Sequence, residues 1–151
     1  MMARPIKEMT LAADEATQAD SEDIFLRILV DVVNQNVGQF DVTLTVGGLL
    51  VTGIIVSGKD YFAGIADEIR SSTNDGSNTL ADVFQRVGSD IYQSSDEAQE
   101  DGGPLPAFIH LRDAHFVSPG ERPIPANRGV YWRGRLSAVD GFCFGTMSSA
   151  E

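Results

Sequence analysis

The sequence has few of the residues that form covalent or metal cross-links. Its 151 residues include one cysteine, Cys143, and two histidines. A single cysteine excludes a disulfide within the chain, and no histidine or other cysteine lies at ligand spacing around it, so no structural zinc site is predicted. Low cysteine content is typical of reducing compartments. We therefore expect a cytoplasmic protein with no bound metal and no cofactor.

Long apolar runs and positive charges are also scarce. No apolar run approaches the ~18 residues of a membrane-spanning helix, and the N-terminus lacks the apolar core of a secretory signal, so no membrane contact is expected. Twenty-two acidic residues against eleven lysines and arginines give a formal net charge of -11. This charge disfavours nucleic acid as the main partner. An apolar content of 42% is ordinary for one soluble domain.

The N-terminus differs from the rest of the chain. The first 23 residues contain six acidic and two basic residues and no apolar periodicity. Segments of this kind cannot bury enough apolar surface to fold alone. We predict a flexible acidic arm over residues 1–20, a single domain over residues 21–147 and a short tail over residues 148–151.

Three stretches have helical apolar spacing. Asp20 or Ser21 is predicted to cap the first, although its many β-branched residues leave a strand as an alternative. Thr79, with Asp82 three residues later, predicts the start of the third by a capping-box-like pair. The predicted apolar faces are Ile24, Phe25, Ile28, Leu29, Val32 and Val33; then Tyr61, Phe62, Ile65, Ala66 and Ile69; then Leu80, Val83, Phe84, Val87 and Ile91.

Other stretches indicate strands. Apolar and polar residues alternate over 40–46, Gly47-Gly48 favours a hairpin turn, and the run 49–56, apolar on both faces, predicts an interior strand. Further strands are predicted over 107–117, 130–139 and 142–147, the last two joined by an Asp140-Gly141 hairpin turn. The fold class expected is α+β, a largely antiparallel sheet of about five strands with two to three helices packed on one face.

Motifs for catalysis are weak. The segment Gly53–Asp60 approaches the phosphate-loop pattern, but Asp60 replaces the hydroxyl that holds magnesium, so we interpret it as a strand end followed by a helix cap. His110 and His115 are five residues apart, which places them on opposite faces of a regular strand, where they cannot chelate one metal. Cys143 is expected to be a buried thiol. With no matched nucleophile and acid, no enzyme activity is predicted.

The charge distribution is more informative. Residues 60–101 carry a net charge of -8, from ten acids and two arginines, whereas residues 105–135 carry +3, from five arginines and two acids. If the strands over 107–117 and 130–139 pair, alternation turns Trp132 inward and gathers aromatic and basic side chains on the other face. Such residues anchor protein interfaces. The predicted interaction residues are Phe108, His110, Arg112, Tyr131, Arg133 and Arg135.

Three alternatives stay open for this face. In the first, the arginines only solvate the sheet or pair with the chain's own acidic residues. A small-molecule-binding domain or enzyme would use His110, Arg133 and Asp140 around a cleft. A nucleic-acid-binding sheet would use the same aromatic and basic side chains for stacking and charge neutralisation, against the repulsion of the net charge.

The C-terminal third resembles the gas vesicle accessory protein GvpU family. The runs that carry the resemblance are Phe108–Leu111, Gly129–Leu136 and Val139–Phe142, with Phe144-Gly145 after them. The earlier hairpin over 42–57 and the helix start at 59–62 are also similar, so the likeness spans roughly residues 24 to 147. It implies a cytoplasmic, non-enzymatic accessory protein that acts in vesicle assembly or clustering. The expected partners are gas vesicle shell or other accessory proteins and further copies of the chain.

Overall fold

A computed structural model describes residues 23–72, 77–92 and 106–147. The predicted arm over residues 1–20 and tail over residues 148–151 lie outside the described residues. The described elements, in chain order, are helix α1 (Ile24–Asn34), strands β1 (Phe40–Val46) and β2 (Leu49–Val56), helices α2 (Gly58–Arg70) and α3 (Ser77–Ile91), strands β3 (Phe108–Val117) and β4 (Val130–Arg135), a 3₁₀ turn (Leu136–Ala138) and strand β5 (Gly141–Phe144).

The five strands form one antiparallel sheet in the order β4-β3-β2-β1-β5. The predicted fold class, α+β with a five-stranded antiparallel sheet, is confirmed. The strand β2 is the central strand, which explains why the run Leu49–Val56 is apolar on both faces. Neighbouring strands and helical layers bury most of its residues, and Leu49 at its start is exposed.

The hairpin between β1 and β2 is also as predicted. Gly47 and Gly48 connect the strands with φ of 57° and 82°, a conformation that suits residues without a Cβ atom. The register pairs Val46 with Leu49 and Val42 with Gly53. This register puts the apolar side chains of β1 on a single face of the sheet.

Helix α1 covers that face. Leu26, Val30 and Val33 are buried in a cluster with strand residues that include Val42 and Leu111. The helix is capped by Asp23, whose carboxylate accepts the Phe25 N–H, so neither Asp20 nor Ser21 is the N-cap residue. The helix prediction is confirmed, but the predicted stripe was wrong in part, because Phe25 is 71% exposed.

Helices α2 and α3 lie on the opposite face, so the helices do not all pack on one face as predicted. The neighbouring residues His110 and Leu111 show this. Leu111 belongs to the α1 cluster, whereas the His110 ring contacts Tyr61 and Phe62 of α2. Successive side chains of a strand point to opposite faces. An apolar stripe predicts that a helix buries one side, but not which face of the sheet receives it.

Ser57 connects the central strand to α2. Its side chain accepts the Asp60 N–H at 3.0 Å, and the helix begins at Gly58. The phosphate-loop-like segment is therefore a strand end and a helix cap, as interpreted from the sequence. Helix α3 begins at Ser77, two residues before the predicted Thr79.

A β-bulge in β3 changes which residues share a face. Arg112 pairs with Ile54 and His115 with Thr52, so two residues of β3 oppose a single residue of β2. Asp113, at the irregularity, has a φ of 53°. The extra residue returns His115 to the face that carries His110, and the predicted opposite placement of the histidines was wrong. The two rings nevertheless contact different groups.

The Asp140-Gly141 hairpin was also wrong. Strand β4 pairs with β3 and β5 pairs with β1, at opposite edges of the sheet. Leu136 and Val139 are buried in the connection between them, which crosses from one edge to the other. The Asp140 carboxylate instead accepts the Gly47 N–H, in the turn of the β1–β2 hairpin. Burial of the two aliphatic side chains outweighs the local turn preference.

Candidate interaction surface

Strands β3 and β4 pair as the predicted surface requires. The register places His110 opposite Arg133 and Phe108 opposite Arg135. These four residues therefore share the face of the sheet that also meets α2. Trp132 lies on the other face, half-buried against the α1 cluster, in agreement with the expected orientation. Arg133 and Arg135 are exposed, and Phe108 is half-buried.

His110 does not project outward as expected, because it is fully buried. Its ring lies 4.8 Å from the Tyr61 ring and 5.5 Å from the Tyr92 ring, centroid to centroid, beneath the helical layer. Burial, and secondly the positive charge of Arg133, lower the pKa of His110 to about 3. The imidazole is thus neutral at ordinary pH. The covering of this position by α2 was not evident from strand alternation.

Arg133 is held against the sheet by two contacts. Its Nε–H donates to Nε2 of His110 at 3.1 Å, and its guanidinium carbon lies 3.7 Å from the centre of the Phe108 ring, a cation–π distance. Because Nε2 accepts this bond, the proton of the neutral imidazole belongs on Nδ1, which has no hydrogen-bond partner among the described residues. His110 is a support for Arg133 rather than a contact residue.

Tyr131 and Arg112 lie apart from this group. The Tyr131 ring packs edge-on against Tyr61, with centroids 5.9 Å apart. Arg112 donates to the side chain of Gln39 at 3.0 Å. Both line an open depression of about 460 Å³ between α2 and the sheet. An ion pair between Arg128 and Glu68, at 3.1 Å, lies at the same depression. The six predicted residues therefore divide into two groups.

His110, Arg133 and Asp140 do not surround one cleft, as the alternative small-molecule or enzyme interpretation required. Asp140 bonds to Gly47, beside the start of β2, whereas His110 pairs with Val56 at the end of β2. Eight strand residues separate the two positions by roughly 25 Å. His110 is in addition covered by aromatic rings. Among residues 23–72, 77–92 and 106–147, no cluster of histidine, cysteine and acidic residues is arranged to hold a metal ion.

His115 borders a second depression, of about 320 Å³. One ring nitrogen, Nδ1, is 2.8 Å from the Pro125 carbonyl oxygen, and Nε2 is 3.5 Å from Asp113. Both nitrogens thus have protein neighbours. Cys143, expected to be buried, is exposed on β5 because that strand is a sheet edge.

The predicted apolar face of α3 meets the rest of the protein only in part. The helix packs on α2 through Ala81, Phe84 and Gly88, and the Phe84 ring stacks on that of Phe62. Its remaining apolar side chains face solvent instead of the core. We call these four residues the α3 stripe: Leu80, Val83, Val87 and Ile91, exposed by 49%, 48%, 36% and 62%.

The spacing of the α3 stripe was visible in the sequence, but its exposure was not. Residues 80, 83, 87 and 91 follow one side of a helix. A sequence pattern does not distinguish an apolar side that meets the domain core from one that is free for a partner. Monomeric proteins seldom expose a continuous apolar band of this kind, which marks interaction sites.

These features define a small α+β domain with an exposed apolar helix side and a cationic sheet edge. In the part of the chain that the model describes, no helix has the length and apolarity needed to cross a membrane. Residues 23–147 match the family model described as gas vesicle protein GvpU-like. The chain belongs to the GvpU-like family of gas vesicle proteins, an accessory family that is not known as an enzyme family. Searches of curated proteins and of solved structures returned no match.

Proposed function

We propose that this protein acts in gas vesicle assembly or clustering through contacts with other proteins, without catalysing a reaction. Membership of the GvpU-like family gives the setting. The observation that carries the proposal is the α3 stripe, four apolar side chains exposed along one helix. The expected partners are vesicle shell or other accessory proteins in the cytoplasm, and further copies of the chain.

The second contact surface proposed is the exposed part of the predicted patch. Arg133 and Arg135 reach solvent, and the half-buried ring of Phe108 lies against the Arg133 guanidinium. His110 takes part only by holding Arg133. A protein that clusters vesicles has to contact two of them at once, so it needs more than one such surface. Attachment through both surfaces also raises the overall avidity.

Co-sedimentation with purified gas vesicles tests this function. A variant with all four residues of the α3 stripe changed to glutamine should pellet with vesicles much less than the wild-type chain and should cluster them less by light scattering. The matched control changes Arg86, Ser89 and Asp90, exposed residues of the same helix, to alanine, which leaves the net charge unchanged.

Two results would contradict the proposal. One is equal pelleting of the wild-type chain, the α3 stripe variant and the control at the same melting temperature. The other is the absence of pelleting by the wild-type chain at both low and high ionic strength. Self-association is checked by sedimentation velocity, in which a monomer at high concentration would exclude further copies as partners.

A further inference from the structure

The outer edge of β4 has free backbone groups at two particular residues. Within the described residues, no strand pairs with this edge. The Leu136 N–H donates to the Ala107 oxygen at 2.9 Å, which makes these residues a hydrogen-bonded pair. Bonded and non-bonded pairs alternate along an antiparallel ladder, so Gly134 bonds inward. The N–H and C=O groups of Arg133 and Arg135 consequently point outward.

The side chains of the same two residues are cationic and share one face. Alternate residues of a strand, such as Arg133 and Arg135, are about 7 Å apart along it. Arg133 is fixed by His110 and Phe108, and its terminal nitrogens have no acceptor among the described residues. The described ion pairs involve Arg70, Arg128 and His115, none of them a residue of β4. Within the part of the chain that the structure describes, this edge therefore combines unpaired backbone with unpaired positive charge.

We propose that the β4 edge binds an extended acidic segment of a partner protein, which adds antiparallel as a sixth strand with alternate carboxylates opposite Arg133 and Arg135. This inference rests on the proposed function, since it names the partner chemistry of one contact surface. Main-chain bonds supply affinity in strand addition, and side-chain pairs supply selectivity. Opposite charges directly across an antiparallel pair stabilise it.

Charge selects this occupant over a second copy of β4. In an antiparallel pair of two β4 edges, Arg133 of one copy would lie opposite Arg135 of the other, and like charges directly opposite each other destabilise a sheet. A nucleic acid is disfavoured by the net charge of -11. The residue between the two acids would face the side of the sheet that carries Trp132, where an apolar side chain fits best.

Peptide binding to the full chain, followed by fluorescence anisotropy, tests the inference. The labelled peptide is Ser-Thr-Glu-Val-Glu-Thr-Ser, and the neutral peptide has glutamine for both glutamates. We expect the acidic peptide to bind at least about tenfold more tightly, with an affinity that falls as salt is raised. Arg135→Gln should weaken it about tenfold. Arg122→Gln, which removes the same charge from an exposed loop, should not weaken it.

Methylation of the peptide backbone separates strand addition from general charge attraction. In the proposed register the glutamate N–H groups face β4 and the valine N–H points away. N-methylation of both glutamates should abolish binding, whereas N-methylation of the valine should preserve it. Equal affinity for the two methylated peptides, or equal affinity for the acidic and neutral peptides, would overturn the inference.

Two further results would also overturn it. One is that no acidic peptide binds the wild-type chain. The other is that a single-stranded oligonucleotide binds more tightly than the acidic peptide and loses affinity with Arg135→Gln, which would assign the edge to phosphates. If the peptides fail while vesicle pelleting still depends on the α3 stripe, only the chemistry of the β4 edge is refuted and the proposed function stands.

Discussion

Acidification should destabilise this protein through His110 before most other groups protonate. The ring is buried and neutral, with a pKa lowered to about 3, whereas a histidine in the unfolded chain has a pKa near 6.5. Between these values the unfolded chain binds the proton and the folded chain does not. Stability is therefore unaffected by this residue above about pH 7 and falls as the pH drops from 6.5 toward 3.

The magnitude follows from the difference in pKa. At pH 5 the loss is about 2 kcal/mol, and it approaches about 5 kcal/mol near pH 3, from ~1.4 kcal/mol for each pKa unit. The titratable and charged groups that surround the ring are Tyr61 and Tyr92 from the helical side and Arg133 from β4. Burial raises the pKa of Tyr61, so that group stays neutral in this range. Among the described groups around the ring, Arg133 is the charged one, and it opposes protonation of the imidazole.

Urea denaturation at pH 7.5, 6 and 5, followed by Trp132 fluorescence, measures the effect. Carboxylates titrate in the same range, so the wild-type chain is compared with His110→Phe, which removes the imidazole and keeps an aromatic ring in the cluster. The loss of unfolding free energy from pH 7.5 to 5 should be about 2 kcal/mol smaller in the variant.

Either of two outcomes would refute the reasoning. One is the same pH dependence in the wild-type chain and in His110→Phe, within about 0.5 kcal/mol, the usual range of surface effects. The other is a His110 ring proton whose NMR signal in the folded protein shifts between pH 7 and 5. In either case the imidazole would titrate in the folded state, and the buried cluster would be open to solvent.

Three more predictions address packing and polar contacts. Gly88→Ala should destabilise the fold by ~1–3 kcal/mol, because a Cβ atom there would lie 2.5 Å from the Cβ of Phe62 in α2, and this clash outweighs the better helix propensity of alanine. The control Gly141→Ala, where a Cβ atom meets open space, should change the melting temperature little. Thr52→Val should cost ~1–3 kcal/mol in urea titrations, since its buried hydroxyl bonds to Thr43 and to a backbone N–H, and a neutral result would contradict that network. Ile91→Gln should leave stability within about 0.5 kcal/mol, and a larger loss would show that the α3 stripe is covered.

Local patterns predicted the hairpin and the central strand because each depends on neighbouring residues. Alternation over Phe40–Val46 and two adjacent glycines at the turn determine the β1–β2 pair almost without tertiary context. The apolar run Leu49–Val56 indicated burial on both faces, and its position in the middle of the sheet agrees. The pairing of β3 with β4, which the predicted surface required as a condition, is present in the sheet.

The errors concern choices that depend on the whole fold. The turn preference of Asp140-Gly141 lost to the burial of Leu136 and Val139 across the end of the sheet. The bulge at Asp113 shifts by one residue the alternation that decides which face of the sheet each side chain occupies, and nothing in the local sequence signals it. The same limit applies to His110, because its burial depends on which face of the sheet α2 packs against.

The two edges of the sheet differ in chemistry and are held apart by the strands between them. Strand β4 carries arginines, whereas β5 ends the sheet with Cys143 and Phe144 exposed. Four strand spacings separate the edges, about 19 Å measured across the sheet. Two partners bound at the β4 and β5 edges would stay at a fixed distance from each other and in a fixed relative orientation, because the hydrogen-bonded strands between them do not stretch. The domain would then act as a rigid, directional spacer rather than a flexible tether.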